Sequence, residues 1–182
     1  MKTIKTLLLG LAIAGFTACS SDDPDHVHQE EVITTMTITL SPQEGGTDVI
    51  LKTQDLDGDG PNPPIITNGN LVAGKTYNGS IVFLNETESP ADNITTEVSN
   101  EGTEHQVLFT AGGGLDVTTD YTDQDSNGNP IGLTFTVTAN TSSTGTFTVT
   151  LKHEPTKPND GTIAGAGGET DIDATFNVNI QS

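Results

Sequence analysis

Three groups of residues in this 182-residue chain have the types and spacing that chemistry requires. The first is a pair of Asp-rich loops. Asp55-Leu56-Asp57-Gly58-Asp59-Gly60 sets three carboxylates at alternate positions before a Gly. Asp123-Gln124-Asp125-Ser126-Asn127-Gly128 repeats the arrangement with two carboxylates and an amide. Both follow the first half of the D-x-[DN]-x-[DN]-G calcium pattern, in which alternate side chains of a tight loop converge on an ion that takes about six to eight oxygens. Pro61 and Pro130 follow closely and would stiffen each loop. Neither loop is an EF-hand, because Ile66 and Thr134 stand where its bidentate Glu belongs. The expectation is a short calcium loop between strands, with Asp55, Asp57, Asp59, Asp123, Asp125 and Asn127 as Ca2+ ligands. It is weighed against a plain polar turn, for which Asp, Asn and Gly are also the ordinary residues.

The second group is histidine. His105 shares parity with Val107 and Phe109, and His153 shares it with Val149 and Leu151. Both therefore fall at one end of a core-facing row. With Glu104, Glu154, Glu169 or Asp171 nearby, they could hold Zn2+ or another transition metal through imidazole and carboxylate. The ordinary alternative is a pair of hydrogen-bonded histidines at the rim of a core. Asp25-His26-Val27-His28 adds two imidazoles that could hold Zn or Cu loosely.

The third is Cys19, the only cysteine. Lys2 and Lys5 precede an apolar run from Leu7 to Phe16, which is too short for a permanent span and reads as a secretory signal. Phe16-Thr17-Ala18-Cys19 resembles a bacterial lipobox with Phe16 in the place usually held by Leu, so Cys19 is the expected lipidation (palmitate) site. Several acyl chains on one residue anchor a protein stably without a transmembrane helix.

The elements that must position these groups follow from alternation. Met36, Ile38 and Leu40 alternate with Thr35, Thr37 and Thr39. The same period of two runs through Leu133–Val137, Phe147–Leu151 and Ile172–Ile180, as half-buried strands require. Further strands are expected at Val49–Leu51, Tyr77–Leu84, Ile94–Val98, His105–Phe109 and Leu115–Thr119, with Gly, Asn, Asp and Pro clusters as turns between them. The 31 Thr residues suit the wet face of a pleated sheet. No window has a helical period. The expected fold is all-β, a single antiparallel β-sandwich with immunoglobulin-like Greek-key connections, and a small closed barrel is the competing architecture. The domains are a lipoprotein signal peptide over 1–18, a lipidated acidic tether over 19–31, and the β-sandwich over 32–182.

Charge narrows the function. The chain has 25 Asp and Glu against 6 Lys and no Arg. Two of those Lys lie in the signal, so the part after it carries 4 − 25 = −21. Nothing in such a chain could neutralise a run of phosphates, which excludes nucleic acid as a partner. No nucleophile, zincin or P-loop motif is present, and an enzyme is not expected.

Four segments resemble a group of small acidic lipoproteins of Flavobacteria and other Bacteroidota: Cys19-Ser20-Ser21-Asp22-Asp23, Asp55–Gly60, Glu104-His105-Gln106, and Gly167-Gly168-Glu169-Thr170-Asp171-Ile172-Asp173. The resemblance covers most of the chain after the signal. It implies outer-membrane attachment, with the acidic run behind Cys19 as an export signal, and it implies no particular activity. Some of these lipoproteins carry the label of a type 1 periplasmic binding fold. That label implies a larger, two-lobed α/β structure, which this length and alternation exclude. The expected function is that of an accessory binding module, anchored to the outer membrane by lipid, that binds Ca2+ or another divalent metal. Its partner would be an outer-membrane transporter or an extracellular ligand. The alternative is a structural or adhesive surface domain recognising protein or glycan.

Overall fold

The computed structural model describes residues 31–58 and 60–182. The signal, Cys19, His26, His28 and Asp59 lie outside the described residues. Ten strands form the body, in chain order β1 (Thr35–Pro42), β2 (Val49–Gln54), β3 (Ile65–Thr67), β4 (Gly69–Val72), β5 (Thr76–Leu84), β6 (His105–Gly112), β7 (Val117–Tyr121), β8 (Thr134–Ala139), β9 (Ser143–His153) and β10 (Glu169–Gln181). Two short helices interrupt them, α1 (Ile94–Asn100) between β5 and β6, and α2 (Ile163–Ala166) between β9 and β10.

The strands pair into a six-stranded sheet, β3-β2-β1-β5-β8-β7, and a four-stranded sheet, β4-β10-β9-β6. The sheets pack face to face through the apolar rows that alternation marks out. Met36, Ile38, Leu40, Ile81, Phe83, Phe135 and Val137 come from one sheet, and Val107, Phe147, Val149, Leu151, Phe176 and Val178 from the other, all buried. Burying each such side chain is worth about 1.5–3 kcal/mol. Hydrophobic packing thus holds the strand ends in place, and polar residues at the rim need not contribute to the frame.

The fold is the expected all-β sandwich, with three departures. The smaller sheet is mixed, because β4 runs parallel to β10, a pairing that an all-antiparallel sandwich lacks. β3 and β4 are edge additions of three and four residues, too short to show an alternation. Ile94–Val98, expected as a strand, is helical. Ile94 and Val98 are four apart and both buried, so one helical face enters the core. Thr95 Oγ1 fixes that helix to β5, accepting from Phe83 N at 2.8 Å and donating to Phe83 O at 3.2 Å. Among the described residues no helix is long and apolar enough to cross a membrane.

Candidate metal centre

β6 begins, β9 ends and β10 begins at the same end of the smaller sheet. His105 and His153 are register partners there, directly opposite each other on β6 and β9. Their ring centroids are 4.8 Å apart. Non-adjacent chain segments bring two carboxylates to the same point. Glu31 arrives from the segment leading into β1, and Asp171 from the start of β10.

Asp171 reaches the cluster through a β-bulge. In strict alternation it would share the solvent face with Asp173, opposite Ile172 and Ala174. The β9–β10 register shifts between Thr170 and Ile172, however, and leaves Asp171 as the extra residue. A bulge re-aims a side chain in this way. Its side chain is 3 % exposed and faces both histidines. Gly168 lets the chain approach closely enough: its φ is +63°, and a Cβ there would stand 2.2 Å from the His153 carbonyl oxygen.

The four side chains alternate around a ring. His105 Nε2 lies 3.2 Å from Glu31 Oε1 and 3.9 Å from Asp171 Oδ2. His153 Nδ1 lies 3.6 Å from Glu31 Oε2 and 3.8 Å from Asp171 Oδ1. One donor atom from each residue can be chosen so that all four lie within 4.8 Å of one another. Tetrahedral ligands with bonds of about 2.0–2.2 Å stand about 3.3–3.6 Å from each other. The observed separations straddle that range.

Two further observations fit a metal ion. His105 Nδ1 stands 3.3 Å from the Glu101 carbonyl oxygen at the end of α1. A carbonyl only accepts, so Nδ1 is the donor in this contact, and Nε2 is the ring nitrogen that faces the cluster. This is the outer support that metal-binding histidines ordinarily have. Second, His105 Nε2 and Glu31 Oε2 are buried and have no hydrogen-bond partner among the described residues. Removing an ion from water costs several kcal/mol unless it is compensated. Metal ligation uses imidazole in its neutral form and carboxylate in its ionised form, and two of each would carry two negative charges, which a divalent cation would balance.

Beside this group lies a second. Glu31, Glu97 and Glu101 also bring carboxylate oxygens within 4.8 Å of one another. Glu97 and Glu101 are exposed, whereas the Glu31 side chain is 4 % exposed. Partial burial, and then the negative charges of Glu31, Glu101 and Asp92, push the Glu97 carboxyl above its ordinary range, while His105 acts the other way.

The Asp-rich loops are built differently. Asp57 Oδ2 accepts from Asn62 Nδ2 at 2.7 Å and from its backbone N–H at 3.3 Å, and Asp55 Oδ1 accepts from Asp57 N at 3.3 Å. Chiefly the Asn62 amide holds the exposed Asp57 carboxyl below its ordinary range. In the second loop Asp123 accepts from Gly132 N at 2.7 Å and Thr134 N at 2.9 Å, one bond to each oxygen. Asp125 Oδ1 accepts from Asn127 N and Asn129 N, and Oδ2 pairs with Lys157 Nζ at 3.2 Å. Burial pushes the Asp125 carboxyl up, but the Asn129 and Asn127 amides and the Lys157 ammonium together hold it below its ordinary value. Among the described residues these loop carboxylates do not form a three-ligand group.

Of the sequence candidates, then, His105, His153 and Asp171 meet, while Glu104, Glu154 and Glu169 do not join them. Glu31, Glu97 and Glu101 are additional. Reading Ile94–Val98 as a helix would have found the last two, because Glu97 and Glu101 are then one turn apart and just ahead of His105. Glu31 has no such signal, since by composition it belongs to the acidic run that precedes β1.

The arrangement defines a class, a β-sandwich with a buried two-histidine, two-carboxylate cluster at its strand ends. No family model, curated protein or solved structure matches this chain.

Proposed function

We propose that this chain is a lipid-anchored metal-binding module of the outer membrane, and that Glu31, His105, His153 and Asp171 hold one divalent transition-metal ion, Zn2+ in the first instance. The observation that carries the reading is the convergence of four buried donor side chains from separate segments, with one donor atom from each within 4.8 Å of the others. Imidazole with carboxylate suits Zn2+ or its first-row neighbours better than Ca2+, which takes oxygen alone. The strand ends are the position this reading favours, because Asp57, Asp123 and Asp125 of the loops already accept from amides or from Lys157. Cys19 supplies the anchor, and the module serves a neighbouring outer-membrane transporter or stabilises a surface domain.

Calorimetric titration of the metal-stripped mature chain tests this. One Zn2+ per chain, lost in His105→Ala and in His153→Ala, is the expected result. Undiminished binding in both variants would remove the assignment.

A second reading rests on another face. An open groove of about 690 Å³ is lined by Asn68, Asn70, Thr144, Thr146, Asn177 and Asn179 among others. Neutral amides and hydroxyls in so acidic a chain suit the hydroxyl groups of a glycan, which supports adhesion. Binding to neutral oligosaccharides that Asn177→Ala weakens would favour it over metal handling.

A further inference from the structure

The four donors of the cluster do not come from one sheet. His105, His153 and Asp171 lie on β6, β9 and β10, neighbours in the smaller sheet, whose ladders hold them in register. Glu31 lies in the lead-in to β1, which belongs to the larger sheet. An ion at the cluster would therefore tie the lead-in to three side chains of the opposite sheet.

Little else holds the lead-in. Among the described residues its backbone hydrogen bonds begin at Thr34, which donates to the Leu84 carbonyl at 3.0 Å and accepts from Asp55 N at 2.7 Å. Ahead of Thr34, Val32 is exposed and Ile33 only half-buried. Yet the Glu31 side chain, at the head of this stretch, is 4 % exposed, with Oε1 toward His105 and Oε2 toward His153. Three more carboxylates stand around it, Asp171 in the cluster and Glu97 and Glu101 beside it. Ionised carboxylates at such separations repel, most strongly where water is scarce. Without a cation Glu31 thus regains hydration and escapes like charges by leaving, whereas a bound cation attracts it.

We infer that the metal ion is a latch: bound, it fastens the lead-in to the smaller sheet through Glu31, and lost, it lets Glu31 to Ile33 swing into water while β1 stays paired. This rests on the cluster being a metal centre. The ion favours the docked lead-in because only the docked state supplies the fourth ligand, and that difference in affinity is what shifts the population. On the lipid-anchored reading Cys19 lies upstream on the same chain. Release then adds three residues to the link between anchor and sandwich, at most about 10 Å of reach. Metal would thereby set how far the sandwich stands from its anchor.

Limited digestion of the mature chain with a Glu-specific endoprotease, read by intact mass, tests the latch, with zinc stoichiometry measured in parallel. Cleavage of a segment that opens transiently follows the population of its open form. With Zn2+ at about 100 times its dissociation constant, cleavage after Glu31 should slow at least ~10-fold against the metal-stripped chain. Each rate is taken relative to cleavage after the exposed Glu44, which corrects for any effect of zinc on the protease. In His105→Ala added zinc should give no protection. A chain that binds one Zn2+ yet is cut after Glu31 equally fast with and without it overturns the latch and leaves the metal centre standing. Protection that persists in His105→Ala also overturns the latch. A chain that takes up no zinc overturns both.

Discussion

Two acidic regions of this sandwich use the same residue types to opposite ends. Around Asp125 each carboxylate has its donors within the protein. Four backbone amides serve Asp123 and Asp125, and Lys157 pairs with Asp125 at 3.2 Å, its side chain 5 % exposed and that of Asp125 1 %. Around Glu31 the carboxylates face imidazoles and other carboxylates, and the buried Glu31 Oε2 and His105 Nε2 have no hydrogen-bond partner among the described residues. The first region is electrostatically complete, and an added cation would compete with Lys157. The second would be balanced by an added cation, on the proposed reading. An Asp-rich motif therefore says little about metal until the partners of its oxygens are known.

The largest predicted effect breaks the complete region. Asp125→Ala strands two amides and leaves the Lys157 ammonium with only the Gly102 carbonyl at 2.6 Å, and should destabilise the domain by about 3 kcal/mol, the lower end of what loss of one partner of a buried pair costs. Denaturant unfolding should give that loss equally with and without Ca2+. A pH dependence follows from the same group. The Asp125 carboxyl is held below its ordinary 3.8 in the folded protein. Its contribution is therefore complete above that value and fades as pH falls through the lower folded value. Asp125→Asn should flatten the acid limb of a stability–pH curve.

Next in size is the effect of metal on the other region. Zn2+ at about 100 times its dissociation constant stabilises by about 2.7 kcal/mol, a rise of about 5–10 °C in Tm for a domain of this size. Thermal melts of wild type should show the rise, and melts of His105→Ala should not. Smallest is Asp57→Ala. Asp57 is exposed and caps only its own turn, so neither the stability nor the zinc-induced shift should change measurably.

Much of this was legible in the sequence where the side-chain period is unbroken. The rows Met36–Leu40 and Phe147–Leu151 give their strands directly, and parity alone sets His105 and His153 on the inner face, where they prove to be register partners. What was not legible has physical causes. The Ile94-Thr95-Thr96 run is β-branched and looks extended, yet the burial of Ile94 and Val98 makes it a helix, so tertiary packing overrides local preference. Asp171 shares the parity of solvent-facing residues, and only the bulge turns it inward. Glu31 belongs by composition to an acidic run, and only the fold shows that its side chain reaches the two histidines.

The most direct test of the central claim is the zinc K-edge absorption spectrum of mature protein loaded with one equivalent of Zn2+. The account predicts four light ligands at about 2.0–2.2 Å with the multiple scattering of two imidazoles, and none of that scattering in His105→Ala/His153→Ala. An all-oxygen shell without imidazole in wild type, or protein that retains no zinc after gel filtration, would contradict it.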